Sequence, residues 1–214
     1  MSEPVFRRLN PAADPRRAHF EYFRAMAYPY VGVTCEVDVT DFAAAVRAAE
    51  QPFFLSFLWH AARAANAVPE LRRRLDGDGA VEYDRCPTSD RKSVVARPDG
   101  TYCYCRLDGD RPLREFLPYA REAQARALAA GGIDDGDDPR PLLFVSTVPW
   151  LSYTALVQPV PSPADSNPRL TWGRMHAQEG RTLMPVSLLC HHALVDGLHL
   201  ARFYEALGAS LAAR

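Results

Sequence analysis

Close to its C-terminal end, the chain carries the feature that most constrains its fold: a strand that leads through two histidines into a helix. Residues 186–190, V-S-L-L-C, form a short and mostly apolar run, which is typical of a buried strand. His191 and His192 follow directly, and Asp196-Gly197 then gives a turn and a helix start. Apolar residues recur at roughly helical spacing from position 198 onward. Burial at such a joint would hold the imidazoles rigidly and favour the neutral form that a general base needs.

The composition predicts one sizeable domain, which we place at residues 1–214. Of the 214 residues, 48% are hydrophobic, so the chain is able to bury a core. The formal net charge is −1, which favours neither nucleic acid nor an anionic membrane as a partner. The sequence contains no apolar stretch long enough to cross a membrane. Its first residues, M-S-E-P-V-F-R-R-L-N, lack the apolar segment of a signal peptide.

Cysteine usage points to a reducing compartment. The chain has five cysteines, an odd number, and no C-x-x-C pair, so we expect reduced thiols in a cytoplasmic protein. Cys103 and Cys105 would face the same side of a strand, but a metal site there is less favoured than ordinary packing. The acidic loop at residues 131–140 lacks the EF-hand spacing, and the sequence has no P-loop or G-x-G-x-x-G motif. The sequence therefore predicts no bound metal, ATP or dinucleotide.

The rest of the chain alternates between helical and strand-like patterns. We predict helices at residues 16–28, 42–50, 53–67 and 111–130, the last of them broken or bent at Pro118. Strands are predicted at residues 31–39, 92–97, 100–107, 142–148 and 169–172. Between these elements we predict a helical turn at 70–75, a hairpin loop at 76–79, an irregular segment at 158–168 and a turn at 178–180.

Four segments together resemble one family of enzymes. Residues 191–197 read H-H-A-L-V-D-G, residues 16–20 read R-R-A-H-F, residues 144–150 read F-V-S-T-V-P-W, and the run from residue 178 reads Q-E-G-R-T-L-M-P-V. Each is similar to a motif of the chloramphenicol acetyltransferases, namely H-H-x-x-x-D-G, R-[RK]-E-H-F, F-V-S-A-x-P-W and Q-x-G-D-K-x-L-M-P-L. The resemblance extends from residue 16 to residue 207 and is strongest from residue 142 onward.

The resemblance implies a fold, an assembly and a reaction. The family has an α/β architecture, an α+β two-layer sandwich in which a large, mostly antiparallel mixed sheet carries helices packed on one side. Its members form homotrimers, with each active site between neighbouring subunits. The implied reaction is acyl transfer from acetyl-CoA, or another acyl-CoA, to a hydroxyl of chloramphenicol or a similar small molecule, without a bound cofactor.

The matching positions imply catalytic roles. His192 would be the general base, because the family's catalytic histidine is the second of the pair, and His191 would be structural. Ser146 would stabilise the oxyanion that forms on the thioester carbonyl, and Thr171 would hold a water near the tetrahedral intermediate. An oxyanion donor of this kind is typically worth about 10²–10³ in rate.

Other matching positions imply support and donor binding. Asp196 would keep the geometry of the site by pairing with Arg16, the first residue of the R-R-A-H-F segment. That segment has alanine where the family has glutamate, so the match there is incomplete. Trp150 and Arg174 would contact the bound CoA.

The acceptor pocket departs from the family pattern. The order Y-F at residues 22–23 reverses the family's aromatic pair, an alanine replaces a leucine, and a valine replaces a phenylalanine. These changes reshape an apolar pocket, and selectivity depends on a few such contacts, each worth about 1–3 kcal/mol. The positions expected to line the acceptor pocket are Tyr22, Phe23, Ala27, Val31, Tyr102 and Cys103.

Three functions are compatible with these residues. The first is an acyl-CoA-dependent O-acetyltransferase that acts on chloramphenicol or a similar antibiotic. The second is a biosynthetic relative that acylates, or otherwise transforms, a different small metabolite, and the altered acceptor pocket favours it. The third is a non-catalytic binding protein on the same scaffold. Retention of His192, Ser146, Thr171, Asp196 and Arg16 disfavours this third function, since a binding module would not need all five.

Overall fold

The computed structural model describes residues 3–10, 13–90, 105–130 and 139–213, which form a layer of helices against a large sheet and a small second sheet. The helices are α1 (Arg17–Arg24), α2 (Thr40–Ala48), α3 (Phe53–Asn66), α4 (Leu113–Ala130) and α5 (Gly197–Ala212). The strands are β1 (Phe6–Arg8), β2 (Tyr30–Asp38), β3 (Arg73–Asp76), β4 (Gly79–Tyr83), β5 (Thr88–Asp90), β6 (Cys105–Leu107), β7 (Leu143–Val148), β8 (Arg169–Gly173), β9 (His176–Gln178) and β10 (Arg181–His191).

The large sheet is organised around β10, which lies between β2 and β8 in the order β2-β10-β8-β7-β5-β6, with β9 also paired to β10. The pairings are antiparallel except for β7 with β8 and β5 with β7. The small sheet, in the order β1-β4-β3, is antiparallel throughout. The predicted architecture, a large and mostly antiparallel mixed sheet with helices, is confirmed.

Side-chain alternation along β10 decides which face of the sheet is available for chemistry. Val186, Leu188 and Cys190 are buried in the core that the sheet shares with α3 and α5. Because strand side chains alternate, Ser187 points to the opposite face, which we call the open face. The segment 149–168, which we call the covering segment, hydrogen bonds to this open face. Among the described helices, none is long and apolar enough to cross a membrane.

Pro185 lies in β10 at the point where its neighbour on one side changes from β8 to β9. Proline has no N–H to donate to a ladder, and the pairing with β8 stops at Val186 while β9 takes over from Leu183. Gly173 ends β8 at this point, where a Cβ would lie 2.6 Å from the Leu151 carbonyl oxygen and 2.9 Å from Pro185 Cγ. Only glycine permits this approach, which brings the start of the covering segment against β8.

Three predicted elements need correction. The helix expected at residues 16–28 ends at Arg24, because the chain has to turn before Pro29 and enter β2. The turn expected at 70–75 covers only Pro69–Arg72, since the next residues pair with β4 as strand β3. A break or a bend was expected at Pro118, and the break was wrong: α4 continues through this residue, where proline removes only one helical hydrogen bond. The strand predicted at 92–97 and most of that at 100–107 lie outside the described residues.

Candidate active site

His192 lies at the joint between β10 and α5, where its ring is held on several sides. Its backbone N–H donates to the Pro29 carbonyl (2.8 Å), and its ring stacks on Phe23 with the centroids 3.6 Å apart. Nδ1 lies 3.0 Å from the carbonyl oxygen of Val195, which can only accept, so Nδ1 carries the proton. In the neutral ring, Nε2 therefore keeps its lone pair. This is the tautomer that a general base acting through Nε2 requires.

His191, by contrast, is engaged at both ring nitrogens. Nε2–H donates to the Pro163 carbonyl (3.0 Å), and Nδ1 accepts from the Ala193 N–H (3.2 Å). Burial lowers the pKa of His191, which keeps the ring neutral and preserves these two bonds. Tyr30 stands edge-on against the ring and donates to carbonyls of the covering segment. His191 thus fastens the covering segment to the end of β10, a geometry that suits a structural role.

Asp196 starts α5 and is paired with Arg16. Its carboxylate accepts a hydrogen bond from the N–H of the second helical residue (3.1 Å), and its own N–H donates to the His199 ring (3.0 Å). Arg16 Nη2 lies 3.2 Å from Asp196 Oδ2, and Arg16 Nη1 donates to the Leu194 carbonyl (2.9 Å). Although burial acts in the opposite direction, His199 and Arg16 hold the pKa of Asp196 below its usual value. The ion pair that the resemblance implies is present, and it fixes the turn that follows His192.

A row of hydroxyl side chains crosses the open face at the level of Ser146. The strand register pairs Ser146 with Thr171, Thr171 with Ser187, and Ser187 with Thr34. Cross-strand partners share a face, so these four residues, which we call the hydroxyl row, lie side by side on neighbouring strands. None of the described residues hydrogen bonds to the Ser146 hydroxyl, which leaves its proton available to a ligand.

A cavity of about 160 Å³ opens beside the row. It is lined by Ser146, Thr171, Phe144, Leu156, Val157 and Gln158, among others. Its wall also contains Arg169, which is 5% exposed and forms a bidentate ion pair with Asp165 (3.0 and 2.8 Å). The guanidinium lies over the ring of Phe144, 5.1 Å from its centroid. The cavity therefore joins apolar surface to several fixed polar groups.

The predicted acceptor-binding residues do not gather in one place within the chain. Phe23 lies against His192, and Tyr22, 65% exposed, contacts Phe23 edge-on. Ala27 is exposed in the turn after α1. Val31 lies on β2 and packs against the core on the helical side. The remaining two predicted positions, Tyr102 and Cys103, lie outside the described residues.

Of the two residues expected to contact CoA, Arg174 lines a large pocket. This pocket, of about 600 Å³, is mainly apolar and also takes in Phe54, Trp172 and Arg121 of α4. Trp150 is 65% exposed and does not line it, although its neighbour Pro149 does. Within the described part of the chain, no cluster of histidine, cysteine and acidic side chains is placed to hold a metal ion.

His192 and Ser146 are far apart within one chain. His192 lies five residues beyond Ser187, which corresponds to about 17 Å along an antiparallel strand. Ser146 lies two strands from Ser187, which adds about 10 Å across the sheet. Ideal strand spacings therefore put the backbone positions of His192 and Ser146 about 20 Å apart, which is too far for both side chains of one chain to contact one small reacting group.

Two side chains that contact the hydroxyl row were not predicted from the sequence. The Tyr153 hydroxyl donates to the Thr171 carbonyl (3.1 Å) and accepts from Ser187 Oγ (3.2 Å). Gln158 Oε1 accepts from Thr171 Oγ1 (3.2 Å). Both belong to the covering segment, whose proline- and serine-rich sequence has no periodicity, so no pattern indicated that they reach the sheet.

Known proteins resemble this chain over nearly its whole length. A family model described as "Chloramphenicol acetyltransferase" matches residues 5–208. A chloramphenicol acetyltransferase of Streptomyces acrimycini is 32% identical over 203 residues, which cover 92% of this chain and 90% of that protein. Chloramphenicol acetyltransferase 2 of Haemophilus influenzae is 26% identical and covers 94% of this chain and 95% of its own length. A solved chloramphenicol acetyltransferase structure superposes with a TM-score of 0.82 at 27% identity, over 97% of this chain and 100% of that one.

Proposed function

The chain belongs to the chloramphenicol acetyltransferase family and is an acyltransferase, and from that premise we propose its donor, its acceptor and the residues that act on them. It transfers an acetyl group from acetyl-CoA to a hydroxyl of chloramphenicol or of a similar small molecule, without a bound cofactor. The observation that carries this proposal is the His192 ring, with its proton fixed on Nδ1 by the Val195 carbonyl and its face stacked on Phe23. The reduced thiols of Cys35, Cys86 and Cys190 fit a cytoplasmic location.

The reaction is a direct transfer in which His192 moves one proton. Nε2 of His192 takes the proton of the acceptor hydroxyl while the hydroxyl oxygen attacks the thioester carbonyl carbon. The C–O bond that forms gives a tetrahedral intermediate, whose oxyanion accepts a hydrogen bond from Ser146. When the intermediate collapses, the carbonyl re-forms, the C–S bond breaks, and the departing CoA sulfur takes the proton back from His192. No acyl-enzyme is required.

Each site is completed by two chains of a homotrimer. The separation of about 20 Å between His192 and Ser146 supports this arrangement, because a base and an oxyanion donor have to contact one reacting group. Mixed trimers, refolded from His192→Ala and Ser146→Ala chains, should regain activity, since some interfaces then combine an intact His192 with an intact Ser146. A site contained in one chain would give no recovery on mixing.

The donor binds in the large pocket beside Arg174. An apolar pocket of about 600 Å³ with two arginines, Arg121 and Arg174, suits a long thiol arm that ends in phosphate groups. The expected consequence is that Arg174→Ala raises KM for acetyl-CoA and leaves KM for the acceptor unchanged.

A second candidate is a biosynthetic acyltransferase with a different acceptor, and the cavity beside Ser146 favours it. Val31 turns toward the core instead of a pocket on the open face. The cavity wall carries the amide of Gln158 and the side chain of Arg169, whose guanidinium is paired with Asp165. These groups suit an acceptor with its own hydrogen-bonding groups, such as a polyol or an amino alcohol.

CoA release separates these candidates. Purified protein and the His192→Ala variant are incubated with acetyl-CoA and either chloramphenicol or a panel of alcohols and amines, and free thiol is measured. His192-dependent release with chloramphenicol supports the first candidate. Turnover with another alcohol only supports the second. Thiol release that persists unchanged in His192→Ala, or is absent across the panel, contradicts the proposed reaction.

A further inference from the structure

We propose that His199 is a positioning residue for His192 and that it acts through the peptide group between Val195 and Asp196. The inference rests on the proposed function, because it takes His192 to be the general base. His199 is the third residue of α5 and is 5% exposed. Its side chain completes the capping box of the helix, a position that glutamate or glutamine usually fills.

One peptide group joins the two histidines. The Val195 carbonyl accepts a hydrogen bond from Nδ1 of His192 (3.0 Å). The N–H of the same peptide group belongs to Asp196, and it donates to Nδ1 of His199 (3.0 Å). Because a trans peptide group is planar, its carbonyl and its N–H point in opposite directions and rotate together. An acceptor that fixes the N–H therefore also fixes the carbonyl that keeps the proton of His192 on Nδ1.

The contacts of Arg16 hold other parts of the same turn. Arg16 Nη1 donates to the Leu194 carbonyl (2.9 Å), which restrains the preceding peptide group. The ion pair of Arg16 with Asp196 restrains the carboxylate. Neither contact restrains the Asp196 N–H, and within the described part of the chain this N–H has no acceptor other than the His199 ring. The orientation of this peptide group therefore depends on His199.

His199 can accept this hydrogen bond only if its Nδ1 carries no proton. Asp196 Oδ1 also lies 3.0 Å from Nδ1, but this oxygen already accepts from the Leu198 N–H (3.1 Å), whereas the Asp196 N–H would lose its acceptor. The neutral ring therefore carries its proton on Nε2, which faces the Glu70 carboxylate with Oε1 at 3.7 Å. Oε2 of Glu70 is buried without a hydrogen-bond partner among the described residues, so this carboxylate favours a proton on the side of the ring that faces it.

The surroundings of His199 favour its neutral form. Burial lowers the pKa of His199, and the guanidinium groups of Arg16 and Arg202 act in the same direction. The carboxylates of Glu70 and Asp196 oppose this shift in the pKa. A protonated ring would donate from Nδ1 to the Asp196 carboxylate and would release the peptide N–H. The neutral ring is thus the form that holds the peptide group in place.

Two substitutions at position 199 separate the hydrogen bond from packing. Glutamine can accept from the N–H of the capping residue through its side-chain oxygen, so His199→Gln should keep kcat at pH 8. Leucine covers the same N–H without offering an acceptor, and His199→Leu should lower kcat by about 5- to 10-fold, in the lower part of the range for an unpaired buried donor. KM for acetyl-CoA should stay constant in both. Thiol release with chloramphenicol, or with the best acceptor of the alcohol and amine panel, measures both constants.

His60 provides the matched control for the loss of a buried histidine. It is 8% exposed, and its Nδ1 is hydrogen bonded to Ser210 (2.8 Å) near the other end of α5. His60→Leu should therefore leave kcat at pH 8 unchanged. A kcat that falls equally in His199→Gln and His199→Leu, or equally in His60→Leu and His199→Leu, would overturn the inference.

Solid-state NMR of protein labelled with 15N-histidine reads the tautomers without turnover, and it needs no variant that has to fold. At pH 8 the wild type should show an unprotonated Nδ1 at His199 and a protonated Nδ1 at His192. The His192 signals should change in His199→Leu and not in His199→Gln. A proton on Nδ1 of His199 in the wild type, or unchanged His192 signals in His199→Leu, would overturn the inference. The expected tautomers together with no His192-dependent turnover of any acceptor would reject the proposed function alone.

Discussion

The joint that carries His192 and the hydroxyl row that carries Ser146 are held by different interactions. At the joint, individual side chains do the holding: Phe23 stacks on the imidazole, and Arg16 pairs with the aspartate that caps α5. In the row, the strand register places Ser146 beside Thr171, and neighbouring strands continue the same line. One half of the proposed site depends on side chains at the end of a strand, and the other on a backbone ladder in the middle of a sheet.

The contrast indicates how each half should respond to change. The joint contains charged and titratable groups, whereas the row contains neutral hydroxyls. Substitutions and changes in pH should therefore disturb the structure of the joint. Substitutions in the row should lower the catalytic rate and leave the structure unchanged.

Removing the base should have the largest effect on activity. His192→Ala should lower kcat by about 10²–10⁴, because the acceptor hydroxyl then has no positioned group to take its proton. Steady-state thiol release measures this loss. His19 on α1 is an exposed histidine, and His19→Ala is the matched control that should keep full activity. A residual activity of His192→Ala near that of the control would refute the assignment of the base.

Removing the oxyanion donor should lower kcat by a smaller factor and leave stability unchanged. Ser146→Ala should cost about 10²–10³ in kcat, the usual value of one such donor. The melting temperature should stay within experimental error, because no described residue hydrogen bonds to this hydroxyl. Ser162, exposed in the covering segment, gives the control variant Ser162→Ala. A clear drop in the melting temperature of Ser146→Ala would mean that the row is not held by its backbone alone.

Substitution of the residue that caps α5 should, unlike Ser146→Ala, lower the stability of the protein. Asp196→Ala should destabilise the protein by about 0.5–2 kcal/mol, because the first turn of the helix loses its side-chain acceptor. Asp196→Asn keeps a good capping residue and should recover most of that loss in chemical denaturation. If the asparagine variant were as unstable as the alanine variant, the ion pair with Arg16 rather than the cap would hold the joint.

A fall in pH should destabilise the joint and leave the stability of the row unchanged. Burial lowers the pKa of His191 and of His199, so both contribute stability that is complete above the ordinary histidine pKa of about 6.5 and is lost as the pH falls below it. Hydrogen exchange, corrected for intrinsic rates, should show faster opening of residues 191–200 at pH 5 than at pH 8. Residues 143–148 should show no such difference. Equal acceleration in both peptides would remove the distinction between the two regions.

The structure of the joint was easier to predict from the sequence than that of the hydroxyl row. The joint is local: the strand, both histidines and the Asp196 cap lie within one short stretch, so a pattern in the sequence was enough to predict the strand, the turn and the helix. The pairing of Arg16 with Asp196 links distant parts of the chain, and only the resemblance to a family indicated it.

The row was harder to predict because it depends on register. Alternation predicts that Ser187 faces away from the helices, but it does not say which residue of β8 or β2 lies opposite. Ser146 and Thr171 were indicated by the resemblance to the family, whereas Tyr153 and Gln158 lie in an irregular segment where side-chain positions depend on tertiary contacts. Val31 was expected in the acceptor pocket, but the pleat of β2 turns it to the core.

In the proposed two-chain site, the distance between His192 and Ser146 would also make the catalytic activity depend on the amount of protein that a cell makes. If a complete site needs two chains, specific activity is constant only above the dissociation constant of the assembly and falls on dilution below it. At low expression, total activity would then rise more steeply than the amount of protein. Once assembly is complete, total activity would rise in proportion to the amount of protein. A defective chain made alongside the normal one would inactivate the sites that it shares with normal chains.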